Sequence, residues 1–229
     1  MANPDSNVDR LYQALHSRAA EFAFKPGARI NESALAAELD ASRTPIREAL
    51  NRLVAEGFLT FQSGRGFFCR PLSPDLILEL YEARIAIECE AVRLACQRAS
   101  DAQIAELAEE LDRIAPDYHA DAEIDDLLAM DEAFHRQLAG LSGNAEILRL
   151  LDNLADRIRY VRRIDLRSLR ARSGPRGDML AAHRGILEVV ALRKPEKAAR
   201  ALRSHIERRQ EEATEAVRAA FAQLYVPEM

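Results

Sequence analysis

Asp131 and His135 stand four residues apart in "DEAFHRQLAG", so a helix there would present a carboxylate and an imidazole on one face. His183 falls in a stripe with Met179, Ile186, Leu187 and Val190, and His205 falls among Ala198, Ala201, Leu202 and Ile206. The chain has five histidines, and these three lie on the core-facing stripes of three different helical patterns. A single core histidine is usually no more than hydrogen-bonded. Three of them beside an aspartate suit a divalent transition metal, which imidazole nitrogen and carboxylate oxygen ligate together. A buried hydrogen-bond cluster is the competing reading. His16 reads as a helix-surface residue and His119 as a loop residue.

A second polar group lies where a core should be. Arg84 and Glu88 fall beside Leu80, Ile87 and Ala91, opposite the polar stripe Glu79, Glu82, Ala86, Glu90, Arg93 and Gln97. A buried arginine is rare unless paired. An i, i+4 salt bridge to Glu88 would satisfy both residues. Alternatively, Arg84 points into a cavity that receives an anionic ligand.

The third group is a set of arginines. "SRTPIREALNRLVAEGFL" carries Arg43 and Arg47 near the start of a short amphipathic pattern, with Ile46, Ala49, Leu50 and Leu53 on its apolar face. The chain as a whole has a formal charge of −5. Residues 41–72, however, hold five arginines against two glutamates. A basic patch on an acidic body is the electrostatic footprint of a nucleic-acid reader. Arginine suits that post, because its planar fork binds guanine O6 and N7 or clamps phosphate.

A metal-dependent helical-bundle enzyme is the alternative function. Di-iron bundles need two Glu-x-x-His pairs. Glu132 and His135 make one, but Leu180 and Leu202 stand three residues before His183 and His205, so the second pair is missing. The sequence has no HExxH helix, nucleophile elbow or phosphate loop.

The elements that position these groups follow from periodicity. Three short helical patterns precede Gly57: one from about Val8 to Phe22, one in "NESALAAELD", and one after the short link "DAS". Ser42 or Thr44 can cap the third, Pro45 fits its first turn and Gly57 suits its exit. "FLTFQ" and "FFCR" flank "SGRG" as a β-hairpin with a glycine-rich tip. Three helices and a hairpin make a winged helix-turn-helix over residues 6–72, whose third helix enters the major groove N-terminus first. "RPLSPD" marks the boundary. Beyond it, over residues 73–225, the pattern is helical throughout. Helices are expected at 74–98, 101–114, 121–139, 144–166, 176–192 and 195–224, broken at Pro116, the "GLSG" stretch, "RSGPRG" and Pro195. The expected fold class is mostly α: an N-terminal winged helix-turn-helix and a C-terminal antiparallel α-helical bundle.

Composition is compatible with this. The 229 residues, 48% of them hydrophobic, can build two cores. Cys89 and Cys96 would lie roughly 10 Å apart on a helix, too far to bridge, and with Cys69 they form no disulfide framework. The chain reads as reduced and cytoplasmic, with a polar N-terminus and no membrane-spanning run.

"SRTPIREALNRLVAEGFL" followed by "GRGFF" closely resembles the winged-helix domain of GntR-family bacterial transcription regulators, over roughly residues 6–72. The resemblance implies operator DNA as partner, met by Arg43, Thr44, Arg47 and the wing Gly64, Arg65 and Gly66. Some members carry a basic residue near the start of the second helix, where this chain has Ser33. "YEARIAIECEAVRLA", "DEAFHRQLAGLSGN", "AAHRGIL" and "ALRSHI" resemble the FCD effector domain of the FadR-type branch, over roughly residues 75–215. Many such domains hold a metal through one Asp and three His, which map to Asp131, His135, His183 and His205. The expected cofactor is therefore a divalent transition metal, zinc first, with nickel and manganese open. A small carboxylate effector beside Arg84, a homodimer and a repressor are the further expectations.

Overall fold

The computed structural model describes residues 4–119, 122–172 and 180–225. Met179 and most of "RSGPRG" lie outside them. Two compact units divide the chain, residues 1–72 and 73–229.

The first unit opens with α1 (Pro4–Ala20), α2 (Glu32–Glu38) and α3 (Arg43–Ala55). Asn31 starts α2 by accepting from the Ser33 and Ala34 amides, a side-chain cap that satisfies two donors a first turn leaves unpaired. Ser42 occupies the N-cap of α3, but its side chain makes no capping bond. Neither does Thr44 act as the cap, since it lies inside the helix. Ile46, Ala49, Leu50 and Leu53 are buried against Leu11, Leu15 and Phe58. Gly57 ends α3 at φ +80°. It lets the Phe58 amide reach back to Leu53 O at 2.9 Å and its own amide reach Val54 O at 3.1 Å, the paired bonds of a Schellman ending. Phe58 then drops into the core.

The wing is β1 (Leu59–Gln62) and β2 (Gly66–Cys69), antiparallel, with Leu59 opposite Cys69 and Gln62 opposite Gly66. Residues 28–30 add a third edge that periodicity alone does not announce. Ile30 N–H donates to Phe67 O at 2.8 Å, and Cys69 N–H donates to Ala28 O at 2.9 Å. His16 departs from its surface reading. It is half-buried, with its ring 4.5 Å from that of Phe58.

Among the described residues the second unit is six helices: α4 (Pro74–Arg98), α5 (Asp101–Ile114), α6 (Ile124–Gly140), α7 (Ala145–Arg172), α8 (Ala181–Ala191) and α9 (Pro195–Tyr225). Ser73 caps α4 with Pro74 in its first turn, and Ser100 with Gln103 closes a capping box on α5. Helix α4 is central, packing on α6, α7, α8 and α9. Helix α7 continues six residues beyond Leu166, and α6 opens at Ile124. The expected start of α8 at 176 lies outside the described residues, which give that helix from Ala181. All three cysteines are buried and free. No described helix is long and apolar enough to cross a membrane.

Candidate metal centre and nucleic-acid interface

Helix α6 carries Asp131 and His135 on the face that buries Leu127, Leu128, Phe134 and Leu138. Helix α8 brings His183 with Ile186, Leu187 and Val190. Helix α9 brings His205 beside the buried Leu202 and Ile206. All four polar residues are buried, and each offers a ligand atom within 4.8 Å of the others. His183 Nε2 lies 3.5 Å from Asp131 Oδ1, and His135 Nε2 lies 3.7 Å from Asp131 Oδ2. The rings pack on one another and on Phe134, which stacks on His183 at 4.2 Å.

Three further residues hold this group in place. Glu88 on α4 accepts from Arg84 Nε through one oxygen and lies 2.6 Å from His135 Nδ1 through the other. Arg162 on α7 donates to Asp131 Oδ2 at 2.6 Å. Tyr118, after α5, donates to Asp131 Oδ1 at 3.3 Å. Burial favours the neutral form of both carboxyls, yet their partners prevail. Arg84 and His135 hold Glu88 down to about 2. Arg162, then His183 and His135, hold Asp131 well below the usual range. Burial, followed by repulsion from His135, pushes His205 down to about 2, and burial lowers His135 as well. The centre is therefore two carboxylates balanced by two guanidinium groups, with neutral imidazoles at His135 and His205.

The donor set fits a divalent ion. His183 Nδ1 and Nε2 and His205 Nε2 are buried without a hydrogen-bond partner. Orphaned buried polar atoms cost free energy, about 1–3 kcal/mol each. Here one nitrogen of each imidazole lies within 4.8 Å of the others and of an Asp131 oxygen, as nitrogen and oxygen ligands do around zinc or nickel.

Arg84 has two faces. Its Nε pairs with Glu88, the salt bridge expected at i, i+4. It also lines a cleft of about 500 Å³ between α6 and α7, with His135, Glu132, Arg159 and Arg162. Glu132 is held by Arg159 through both oxygens, so the carboxylate of the Glu-x-x-His pair is engaged elsewhere. Sequence reasoning missed Arg162, although its position carried a signal. It follows Ile158 by four and Leu154 by eight, and all three are buried. The same intrusion into an apolar stripe had singled out Asp131. Glu88's second partner had no such signal, because His135 is 47 residues away.

In the first unit Arg43, Thr44 and Arg47 are exposed at the start of α3. Arg43 and Arg47 approach one carboxylate, Glu32 Oε2, at 3.8 and 3.5 Å. That partner on α2 went unread in the sequence. The exposed Arg65 lies between Gly64 and Gly66, whose φ of +73° and +92° suit a tight tip. Its guanidinium lies 5.3 Å from the Phe68 ring. Ser33, where some members are basic, is exposed.

A winged helix joined to a helical bundle with an inward-facing ligand set defines a class: two-domain DNA-binding transcription regulators. The comparisons make it specific. Residues 7–69 match the bacterial regulatory proteins of the gntR family, and residues 79–208 match the FCD domain. The chain belongs to the GntR family, with an FCD domain as its second unit. It is 41% identical over 207 residues to the Nta operon transcriptional regulator of Aminobacter aminovorans, spanning 90% of this chain and 94% of that one. It is 27% identical over 165 residues to the HTH-type transcriptional repressor RspR of Escherichia coli, spanning 69% and 71%. A GntR regulator from Rhodococcus sp. RHA1 superposes with a TM-score of 0.65 at 25% identity, covering 92% and 99%. These relatives are regulators, and the bundle-enzyme alternative falls with them.

Proposed function

We propose that the protein is a metal-dependent, ligand-responsive regulator that binds operator DNA as a homodimer and releases it when a small carboxylate occupies the second unit. Asp131, His135, His183 and His205 would hold the ion, with zinc the first choice and nickel or manganese open. The ion would supply a Lewis-acidic point of attachment for an anionic oxygen. In the first unit Arg43, Thr44, Arg47 and the wing tip Gly64–Arg65–Gly66 would meet the duplex. The named repressor among the relatives favours repression.

The observation that carries this reading is the convergence of unpartnered imidazole nitrogens on Asp131. Charge supports the effector class. Asp131 with Arg162 and Glu88 with Arg84 cancel, so a divalent ion leaves two buried positive charges uncompensated. Buried charge is costly unless paired. A small acid in the adjoining cleft supplies the missing negative charge, and Arg84 on its wall offers further N–H donors.

A thermal-shift screen of small mono-, di- and tricarboxylates with zinc present tests the proposal, since a ligand of the folded state raises its melting temperature by mass action. At least one acid should stabilise the zinc-loaded protein and weaken its hold on operator DNA. Acids that stabilise the chelated and zinc-loaded protein equally would remove the metal from effector recognition.

A further inference from the structure

Glu88 satisfies two neighbours at once. One oxygen accepts from Arg84 Nε, and the other lies 2.6 Å from His135 Nδ1. The side chain is 1% exposed, so both contacts are shielded from bulk solvent. A carboxylate whose other oxygen is paired with the always-charged Arg84 guanidinium has acceptors only. The ring nitrogen at 2.6 Å must therefore be the one that carries the proton. Neutral imidazole has a single N–H, so Nε2 is left bare. That nitrogen faces inward, 3.7 Å from Asp131 Oδ2. Among the described residues Glu88 makes the short contact to His135, while Asp131 stands at the longer distance. The ring faces of His183 and His205 approach it, but neither donates to it.

We infer that Glu88 is the positioning residue of the centre: it fixes His135 as the Nδ1–H tautomer, presents the Nε2 lone pair to the ion, and ties that ligand to Arg84 on the cleft wall. This rests on the metal reading above and deepens it. His183 has no such partner at Nδ1. The arrangement also joins the two halves of the site. Arg84 is shared between Glu88 and the cleft, so an anion that draws on Arg84 acts on the carboxylate that orients a ligand. Coupling of this kind is reciprocal.

Glutamine at this position separates charge from shape. Glu88→Gln keeps the volume but must turn its amide N–H₂ toward either Arg84 or His135. Facing His135, it would favour a bare Nδ1 and a protonated Nε2, the wrong form for an inward ligand. Full-length, metal-free parent protein, labelled with ¹⁵N, is examined by long-range imidazole NMR at neutral pH, and zinc affinity is measured by chelator competition. The parent should show His135 protonated at Nδ1 and bare at Nε2. Glu88→Gln should show the other tautomer or a mixture, and should bind zinc about 10- to 100-fold more weakly. A parent His135 protonated at Nε2 overturns the inference whether or not the variant folds. So does a folded Glu88→Gln that keeps zinc affinity within about threefold of the parent, well short of that loss. A parent that takes up no zinc, yet has the Nδ1–H tautomer, overturns the metal reading itself and leaves Glu88 a structural acceptor.

Discussion

Arg47 and Arg65 differ in what their loss should do. On the proposed reading Arg47 reaches a base edge from the start of α3, so Arg47→Ala should cost about 1–3 kcal/mol and relax specificity at one position per half-site. Arg65 at the wing tip would meet phosphate, so its loss should weaken all sequences alike and flatten the salt slope. Titrations of operator and scrambled duplex at several salt concentrations separate the two. The buried centre makes a prediction of its own for metal-free protein. His205 is held neutral in the fold down to about pH 2, against an ordinary value of 6.5. Below 6.5 the unfolded chain takes up a proton that the folded chain refuses, so stability falls with pH. The two carboxyls begin to matter only lower, near their ordinary 3.8 and 4.5. Between pH 6.5 and 4.5 the imidazole dominates, and each such group removes about 1.4 kcal/mol per pH unit. Chemical denaturation of chelated protein across that range should show the decline, and His205→Asn should make it shallower, leaving the share that buried His135 contributes. At this scale the sequence exposed residues that interrupt an apolar stripe on their own helix, such as Asp131 and His183, and Arg162 carried the same signal unread. It could not expose pairings made across helices, such as Glu88 with His135 or Arg43 and Arg47 with Glu32.

The helices decide which of these residues meet. An i, i+4 pair on α6 supplies two ligand atoms, and α8 and α9 supply one each, so an ion there ties three helices together. Metal binding should therefore raise the melting temperature of the second unit. The apolar periodicity of α6, α8 and α9 made this convergence legible, because only one face of each can turn to the core. Boundaries were less legible. Helix α7 runs on through an arginine-rich stretch after Leu166, where no breaker or apolar period marks an end. The edge formed by residues 28–30 was hidden because pairing with β2 depends on a distant partner. Gly57 tests the opposite case, an ending that local chemistry dictates. At φ +80° a Cβ is disfavoured by roughly 1–2 kcal/mol. Gly57→Ala should destabilise the first unit by about that amount, read by urea denaturation of full-length protein as a shift in its earlier or later transition.

For the whole molecule, one winged helix offers few base contacts, so operator affinity should require two. A two-fold dimer would place its recognition helices on half-sites about one DNA turn apart or closer. Light scattering at micromolar concentration should give twice the 25.6 kDa chain mass. A monomer that still binds operator specifically would contradict this. Charge is unevenly spread along the chain, five arginines against two glutamates over residues 41–72 of a protein of formal charge −5. That asymmetry was legible from the sequence alone, because it depends on where arginines fall and not on how helices pack. On the proposed reading, damage to the centre should spare DNA binding by the free protein while removing its response to effector.

The account depends most directly on whether those four buried residues hold an ion. Elemental analysis of protein purified without chelator or an affinity-tag metal, followed by zinc, nickel and manganese uptake, measures this. The parent should carry or take up about one divalent ion per chain, as expected for a single four-ligand site. His183→Ala should carry none, melt at a lower temperature and lose the effector response while still binding operator. A parent that is metal-free and takes up none of the three ions would contradict the account, reducing Asp131, His135, His183 and His205 to a buried polar cluster.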